Sequence, residues 1–287
     1  MKVIDKISTM QDTAKSLHRR GKSIGLIPTM GYLHEGHLSL IRIAKKKADI
    51  AIVSIFVNPT QFAPNEDYEK YPRDLQKDER LCEQEGVDII FYPHSGDMYP
   101  PDHKTFVLTE DLSNKLCGIS RPIHFRGVTT VVAKLFNIVQ PDIAVFGQKD
   151  AQQNLIIRKM VADLNFDIKI IKAPIIREFD GLAMSSRNRY LSPTQRQDAL
   201  VIYNSLQKAK QLTDAGEINV SRIKEKIYTE FSSISSAKID YVAVVDYQNL
   251  IDLDIIKDNT LIAIAAYFGK TRLIDNIIIN ISSNYRR

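Results

Sequence analysis

Through about the first 175 residues, short runs rich in Ile and Val alternate with amphipathic stretches, and no other feature restricts the fold as strongly. The runs Ser23 to Pro28, Ile50 to Val57, Val87 to Tyr92, Ile143 to Gly147 and Ile168 to Ile171 read as strands. Helical patterns between successive strands predict βα units on a parallel sheet, because a parallel pair needs a long crossover. The clearest helix is Val128 to Val139, whose Val128, Val131, Val132, Leu135, Phe136 and Val139 follow the i, i+3, i+4, i+7 template. A second is predicted from Pro72, a first-turn proline, to Gly86 as its stop. Cys82 lies seven residues after Leu75 on that helix and reads as packing.

After about residue 180 the pattern changes. Two long helices, Pro193 to Leu212 and Val220 to Ser232, precede the strand-like runs Ile239 to Val245, Leu261 to Phe268 and Leu273 to Ile281. This predicts an α/β domain over 1–180 and a smaller α+β domain over 181–287, joined by the polar loop REFDGLAMSSRNRYLSP. Clefts at such joints commonly hold ligands.

Composition excludes several classes. A 287-residue chain with 44% hydrophobic residues can bury a large core. The N-terminus lacks an apolar signal region, and no segment offers about 18 uncharged apolar residues, so a soluble, unprocessed, cytoplasmic protein is expected, without membrane association. Cys82 and Cys117 are too few for a disulfide framework or a four-ligand zinc site, and Cys117 is left unassigned. The net charge is +5, but the basic residues are dispersed and the longest run, Lys45 to Lys47, ends a predicted helix, so no nucleic-acid partner is expected.

The chemistry gathers around PTMGYLHEGH, Pro28 to His37. A helix begins at about Gly36, so His34 and His37 fall in the turn and first helical turn at the C-terminal edge of a parallel sheet, where α/β folds place ligands. Free backbone N–H groups and the helix dipole there would favour an anion, and two imidazole donors suit phosphate oxygens. For a lone histidine, helix capping or packing is the better reading; the pair around a glycine points to function. Zinc ligation is disfavoured, since no third ligand lies at helical spacing. Gly21-Lys22-Ser23 resembles the end of a P-loop, but Ser16 stands where the first glycine belongs, and no G-x-G-x-x-G occurs. Further candidates are Lys149 in FGQKD, the loop Met184-Ser185-Ser186-Arg187, and the amides Asn58 and Gln61 of SIFVNPTQF.

These residues carry a resemblance. PTMGYLHEGH, SIFVNPTQF, YPRDLQKD, RPIHFRGV, LFNIVQPDIAVFGQKD, IRKMVAD, DGLAMSSRNRYLS and TRLIDN occur in this order, and over essentially its whole length the chain resembles the pantothenate synthetase (pantoate–β-alanine ligase) family. The resemblance implies a Rossmann-like N-terminal domain of the HxGH nucleotidyltransferase type and a small C-terminal α+β domain that helps close the site. It implies ATP-dependent condensation of (R)-pantoate with β-alanine through a pantoyl-adenylate, releasing AMP and diphosphate. Mg²⁺ as cofactor, with no direct protein ligand, and a cytoplasmic homodimer are implied as well. By position, Met30, Gly31, Tyr32, Leu33, His34, Glu35, Gly36 and His37 would line the ATP site, joined by Gly147, Gln148, Lys149, Asp150, Ile176, Met184, Ser185, Ser186 and Arg187. Gln61 would contact pantoate and β-alanine, and Gln153 pantoate; His37, His34 and Lys149 would be catalytic, with His37 the family's proton donor.

A mechanism follows from these residue types. The carboxylate must approach an already anionic α-phosphate, so His34, His37, Lys149 and magnesium would spread that charge. Gln61 and Gln153 can hold pantoate without repelling it. No general base stands out in these motifs, so His37 is expected to act chiefly as an electrostatic stabiliser. Two positions depart from the family pattern, which more often has glutamate at Gln148 and an aromatic at Ala151. Arg121 and His124 of RPIHFRG are candidates without an assigned role.

Overall fold

The computed structural model describes residues 1–64 and 66–281, and the chain divides into two compact units. The first comprises Met1–Asn114, Arg121–Gln148 and Gln152–Pro174; the second comprises Lys115–Ser120, Lys149–Ala151 and the chain from Ile175 onward. Thus the division falls at Pro174, and two short segments, one containing Lys149, group with the C-terminal unit. Residues 282–287 of the expected 181–287 domain lie outside the described residues.

The first unit is a six-stranded parallel sheet with helices. Its strands are β1 (Lys2–Ile4), β2 (Ile24–Thr29), β3 (Ile50–Ile55), β4 (Ile89–Phe91), β5 (Ile143–Gly147) and β6 (Lys169–Ala173), in the spatial order β1-β4-β3-β2-β5-β6. Its helices are α1 (Ile7–Arg19), α2 (Glu35–Lys45), α3 (Leu75–Gln84), the single turn α4 (Ser95–Met98), α6 (His124–Val139) and α7 (Ala151–Asp163), while the single turn α5 (Cys117–Ser120) belongs to the second unit. Adjacent residues along each central strand serve opposite faces. Leu26, Ile52 and Ala144 pack with α1 and α6, while Ile27, Val53 and Val145 pack with α2 and α3. A sheet covered on both faces explains why its strands read as continuous apolar runs.

The second unit holds α8 (Pro193–Asp198), α9 (Leu200–Asp214), α10 (Val220–Ser232) and an antiparallel sheet ordered β7 (Ala237–Asp246), β8 (Thr260–Phe268), β9 (Thr271–Ile279). Ile202, Leu206, Ile223 and Ile227 of the helices bury against Val244, Ile262 and Ile264 of the strands. This is the expected α+β arrangement.

Local chemistry moved several boundaries. The helix expected from Pro72 starts at Leu75, because the Asp74 carboxylate accepts from Lys77 N at 3.0 Å and makes Asp74 the N-cap. The run Pro193 to Leu212 splits at Ala199, where the ladder tightens to an Ile202 N to Ala199 O bond of 3.2 Å. The expected strand Val87 to Tyr92 shortens to Ile89–Phe91. Cys82 is fully buried, and burial pushes its thiol up to about 12, in keeping with a packing role. Among the described residues, no helix is long and apolar enough to cross a membrane.

Candidate active site

Sheet order reverses at β2: the chain runs from β2 through β3 to β4 on one side, then returns to place β5 on the other. The crevice beyond the carboxyl ends of β2 and β5 is therefore the topological switch point, and Met30 to His37 begin there.

The histidine turn is built around ring nitrogens. His34 is the N-cap of α2, and its Nδ1 accepts from Gly36 N at 3.1 Å; His37, at the third helical position, accepts from His34 N through its Nδ1 at 3.3 Å. Two imidazoles thus form a capping box normally made by Ser or Thr with Glu. Their centroids lie 4.1 Å apart with planes tilted by 41°. A ring whose Nδ1 accepts is neutral and carries its proton on Nε2, so both histidines are Nε2–H donors.

This narrows the expectation of free backbone donors at the turn. Gly31 N donates to Thr29 Oγ1 at 3.2 Å, Tyr32 and Leu33 donate to Asp78, and His34, Gly36 and His37 donate within the turn itself. The side-chain donors of the turn are imidazole Nε2–H groups. The Glu35 carboxylate is engaged by Arg42, which also reaches Glu85.

Gln61 comes to the same neighbourhood. It ends the 3-10 turn Pro59–Gln61 after β3, is 7% exposed, and its Nε2 lies 3.1 Å from Met30 Sδ. Asn58 Nδ2 donates to Gln61 Oε1 at 3.1 Å and to Gly127 O at 3.0 Å, so the two amides are fixed as a pair. Gly127 on α6 makes this possible: a Cβ there would run into Thr60 O and lie 2.5 Å from Gln61 N. Arg121 and His124 act on the Gln61 backbone, with His124 Nδ1 3.1 Å and Arg121 Nη2 3.4 Å from Gln61 O, while Glu66 holds Arg121 through two 2.6 Å bonds. Gly147 and Gln148 lie at the end of β5, and Gln153 is half-buried on the first turn of α7.

The remaining candidates belong to the second unit. Lys149 and Asp150 lie on a 3-10 turn, and the Lys149 carbonyl accepts from Asn276 Nδ2 at 2.9 Å. Met184 N donates to Ile176 O at 3.0 Å, which brings those two predicted residues together. Ser185 caps the 3-10 turn Ser186–Tyr190 by accepting from Arg187 N at 3.2 Å. Behind this loop Arg177 donates to both oxygens of the buried Asp275, at 2.6 and 3.1 Å, and to Gly181 O at 3.0 Å. Burial raises the Asp275 carboxyl above the usual range, opposed by Arg177. Reading the sequence passed over Asp78, Gly127, Arg177, Asp275 and Asn276. Asp78, Gly127, Asp275 and Asn276 lie in the quoted motifs YPRDLQKD, RPIHFRGV and TRLIDN, which were the available signal.

Strand order, switch point and histidine turn place the first unit in the Rossmann-like class of α/β proteins. Known proteins narrow that class to a family. The family profile of pantoate-beta-alanine ligase matches residues 2–278. A pantothenate synthetase from Thermoanaerobacter pseudethanolicus is 57% identical over 97% of this chain and 98% of its own length; one from Thermotoga petrophila is 54% identical over 97% and 100%. Among solved structures, pantothenate synthetase from Thermus thermophilus superposes with a TM-score of 0.92 at 40% identity, covering 96% of this chain and 99% of that one. Pantoate-beta-alanine ligase from Francisella tularensis, complexed with beta-gamma ATP and β-alanine, gives 0.80 at 38%, with 97% of each chain covered. The chain belongs to the pantoate–β-alanine ligase family.

Proposed function

We propose that the family's reaction, ATP-dependent joining of (R)-pantoate to β-alanine through a pantoyl-adenylate, is run in this chain by the neutral imidazole pair of the histidine turn. The observation that carries this reading is the capping box, which commits both Nδ1 atoms to the backbone and so sets each ring's proton on Nε2. In the first step a pantoate carboxylate oxygen attacks the α-phosphorus of ATP and diphosphate leaves. His34 and His37 donate to phosphate oxygens whose negative charge grows, each such donor being worth on the order of 10² to 10³ in rate. A proton held on Nε2 by the backbone contact at Nδ1 favours stabilisation over proton transfer for His37.

Gln61, buried and paired with Asn58, orients pantoate and then β-alanine, and Gln153 completes the pantoate contacts. In the second step the β-alanine amine attacks the acyl carbon and AMP leaves. Met30 to His37, Gly147, Gln148, Lys149, Asp150, Ile176 and Met184 to Arg187 contact the nucleotide, with Lys149 opposing phosphate charge; the C-terminal unit in this reading helps close the site. The donor set of the turn, imidazoles and amides, suits phosphate oxygens rather than a hard cation. Mg²⁺ therefore accompanies the ATP phosphates in this reading, and a cytoplasmic homodimer is part of the same proposal.

The test is incubation with ATP, Mg²⁺, pantoate and β-alanine. AMP should form only when pantoate is present, and diphosphate should exchange into ATP without β-alanine. Release of ADP, or of AMP without pantoate, would reject the reading. Sedimentation equilibrium checks the dimer, and a crystal structure with an ATP analogue checks the nucleotide contacts.

A further inference from the structure

The histidine turn is anchored from outside its own motif. Asp78, on α3, is 1% exposed, and its carboxylate is divided between two consecutive backbone donors: Tyr32 N reaches Oδ2 at 2.7 Å and Leu33 N reaches Oδ1 at 2.7 Å. Two residues in succession are left-handed here, Gly31 at φ 81° and Tyr32 at φ 52°. Glycine takes that conformation freely; tyrosine does so at a cost and needs outside support. Gly31 also allows the close approach, since a Cβ there would lie 2.9 Å from Asp78 Oδ2 and 3.0 Å from Ile55 Cγ2.

The surroundings argue that this carboxylate serves the turn rather than stability. Burial pushes the Asp78 carboxyl above its ordinary range, and the two N–H donors only partly offset that. A charge kept at a net cost in a buried place is unusual unless it has another task. Beside it lies a cavity of about 170 Å³ bordered by Met30, Gly31, Arg73 and Asp78, which gives the turn room to relax if released.

We propose that Asp78 is a positioning residue for the reaction: by dividing its carboxylate over Tyr32 N–H and Leu33 N–H, it holds the left-handed path that delivers His34 and His37 to the start of α2. This rests on the reading of the turn as the phosphate-activating element.

Asp78→Asn keeps the side chain's size, but only Oδ1 can accept, and its amide group faces a second donor. Pantoate-dependent diphosphate exchange should fall about tenfold or more in kcat, as expected for a displaced catalytic group, with the melting temperature within about 3 °C of the parent. Hydrogen exchange at Tyr32 N–H and Leu33 N–H should accelerate by a similar factor. An unchanged kcat, a loss of kcat that only tracks a loss of folded protein, or unchanged amide exchange at Tyr32 and Leu33 would each overturn the proposal. If the parent itself shows no pantoate-dependent exchange, the functional reading fails instead, while amide exchange still reports whether Asp78 holds the turn.

Discussion

Neutral groups and cations are held by different means in the two units, although the first also holds a cation, Arg121, by a carboxylate, Glu66. In the first, neutral rings and amides are fixed by hydrogen bonds to backbone: His34 and His37 cap α2, and Asn58 and Gln61 are seated against α6. In the second, cations are fixed by carboxylates: Arg177 by Asp275, and Arg196 by Glu178 and Asp180. The contrast has a physical reason. A ring that meets an anion must not bring a carboxylate with it, so the two imidazoles bond backbone and the carboxylate that anchors the turn, Asp78, bonds backbone N–H, whereas structural guanidinium groups need a partner when they leave water.

That comparison can be broken or sharpened. The largest effect is expected from His37→Ala, which should slow adenylate formation by about 10² to 10³, equivalent to ~2.7 to 4 kcal/mol of transition-state stabilisation. Single-turnover rates unchanged from the parent would remove the ring from the chemistry; Lys149→Ala should lose at least about tenfold in the same assay. Asp275→Ala comes next, leaving Arg177 without its carboxylate. Because the Arg177 side chain keeps 21% exposure, the loss should be about 3 kcal/mol, the low end for a broken buried pair. Urea unfolding measures it, and a shift under about 1 kcal/mol would show the pair to be ordinary surface electrostatics.

Gly127→Ala tests the neutral side of the comparison. Its Cβ meets backbone rather than a flexible side chain, so a cost of about 1 to 3 kcal/mol is expected, with a raised KM for pantoate as Gln61 shifts. An unaltered KM would detach Gln61 from its seat on α6. The smallest effect belongs to Asp180, whose carboxyl is held below its usual 3.8 chiefly by the hydrogen bond from Arg196. A lowered carboxyl adds stability above the unfolded value and loses it as pH falls through the folded one. Asp180→Asn should therefore lower stability by under about 1 kcal/mol at neutral pH and by nothing at strongly acidic pH. A difference that persists in acid would exclude the ion pair as its source.

Much of this was legible in the sequence because it depends on periodicity or turn chemistry. Ile143–Gly147 and Val220–Ser232 have the expected limits, since each is a strongly patterned run with clear stops. β1 was invisible: three residues, two of them exposed, carry no alternation, and only pairing with β4 makes them a strand. The histidine pair stood out because its members are three residues apart. Asp78 and Asp275 did not, because their partners lie 45 or more residues away, and a carboxylate on a helix or strand reads as solvated until its burial is seen. Most of the expected free N–H groups are taken for a related reason: nothing local announces that imidazoles will take the place of Ser and Glu in a cap.

The ring-built cap ties catalysis to the integrity of a single helical turn. Each ring is at once a cap acceptor through Nδ1 and a donor through Nε2–H, so replacing either one loosens the first residues of α2 and removes a donor in one event. Fraying in such a variant should stay confined to residues 34–37, with the sheet beneath intact.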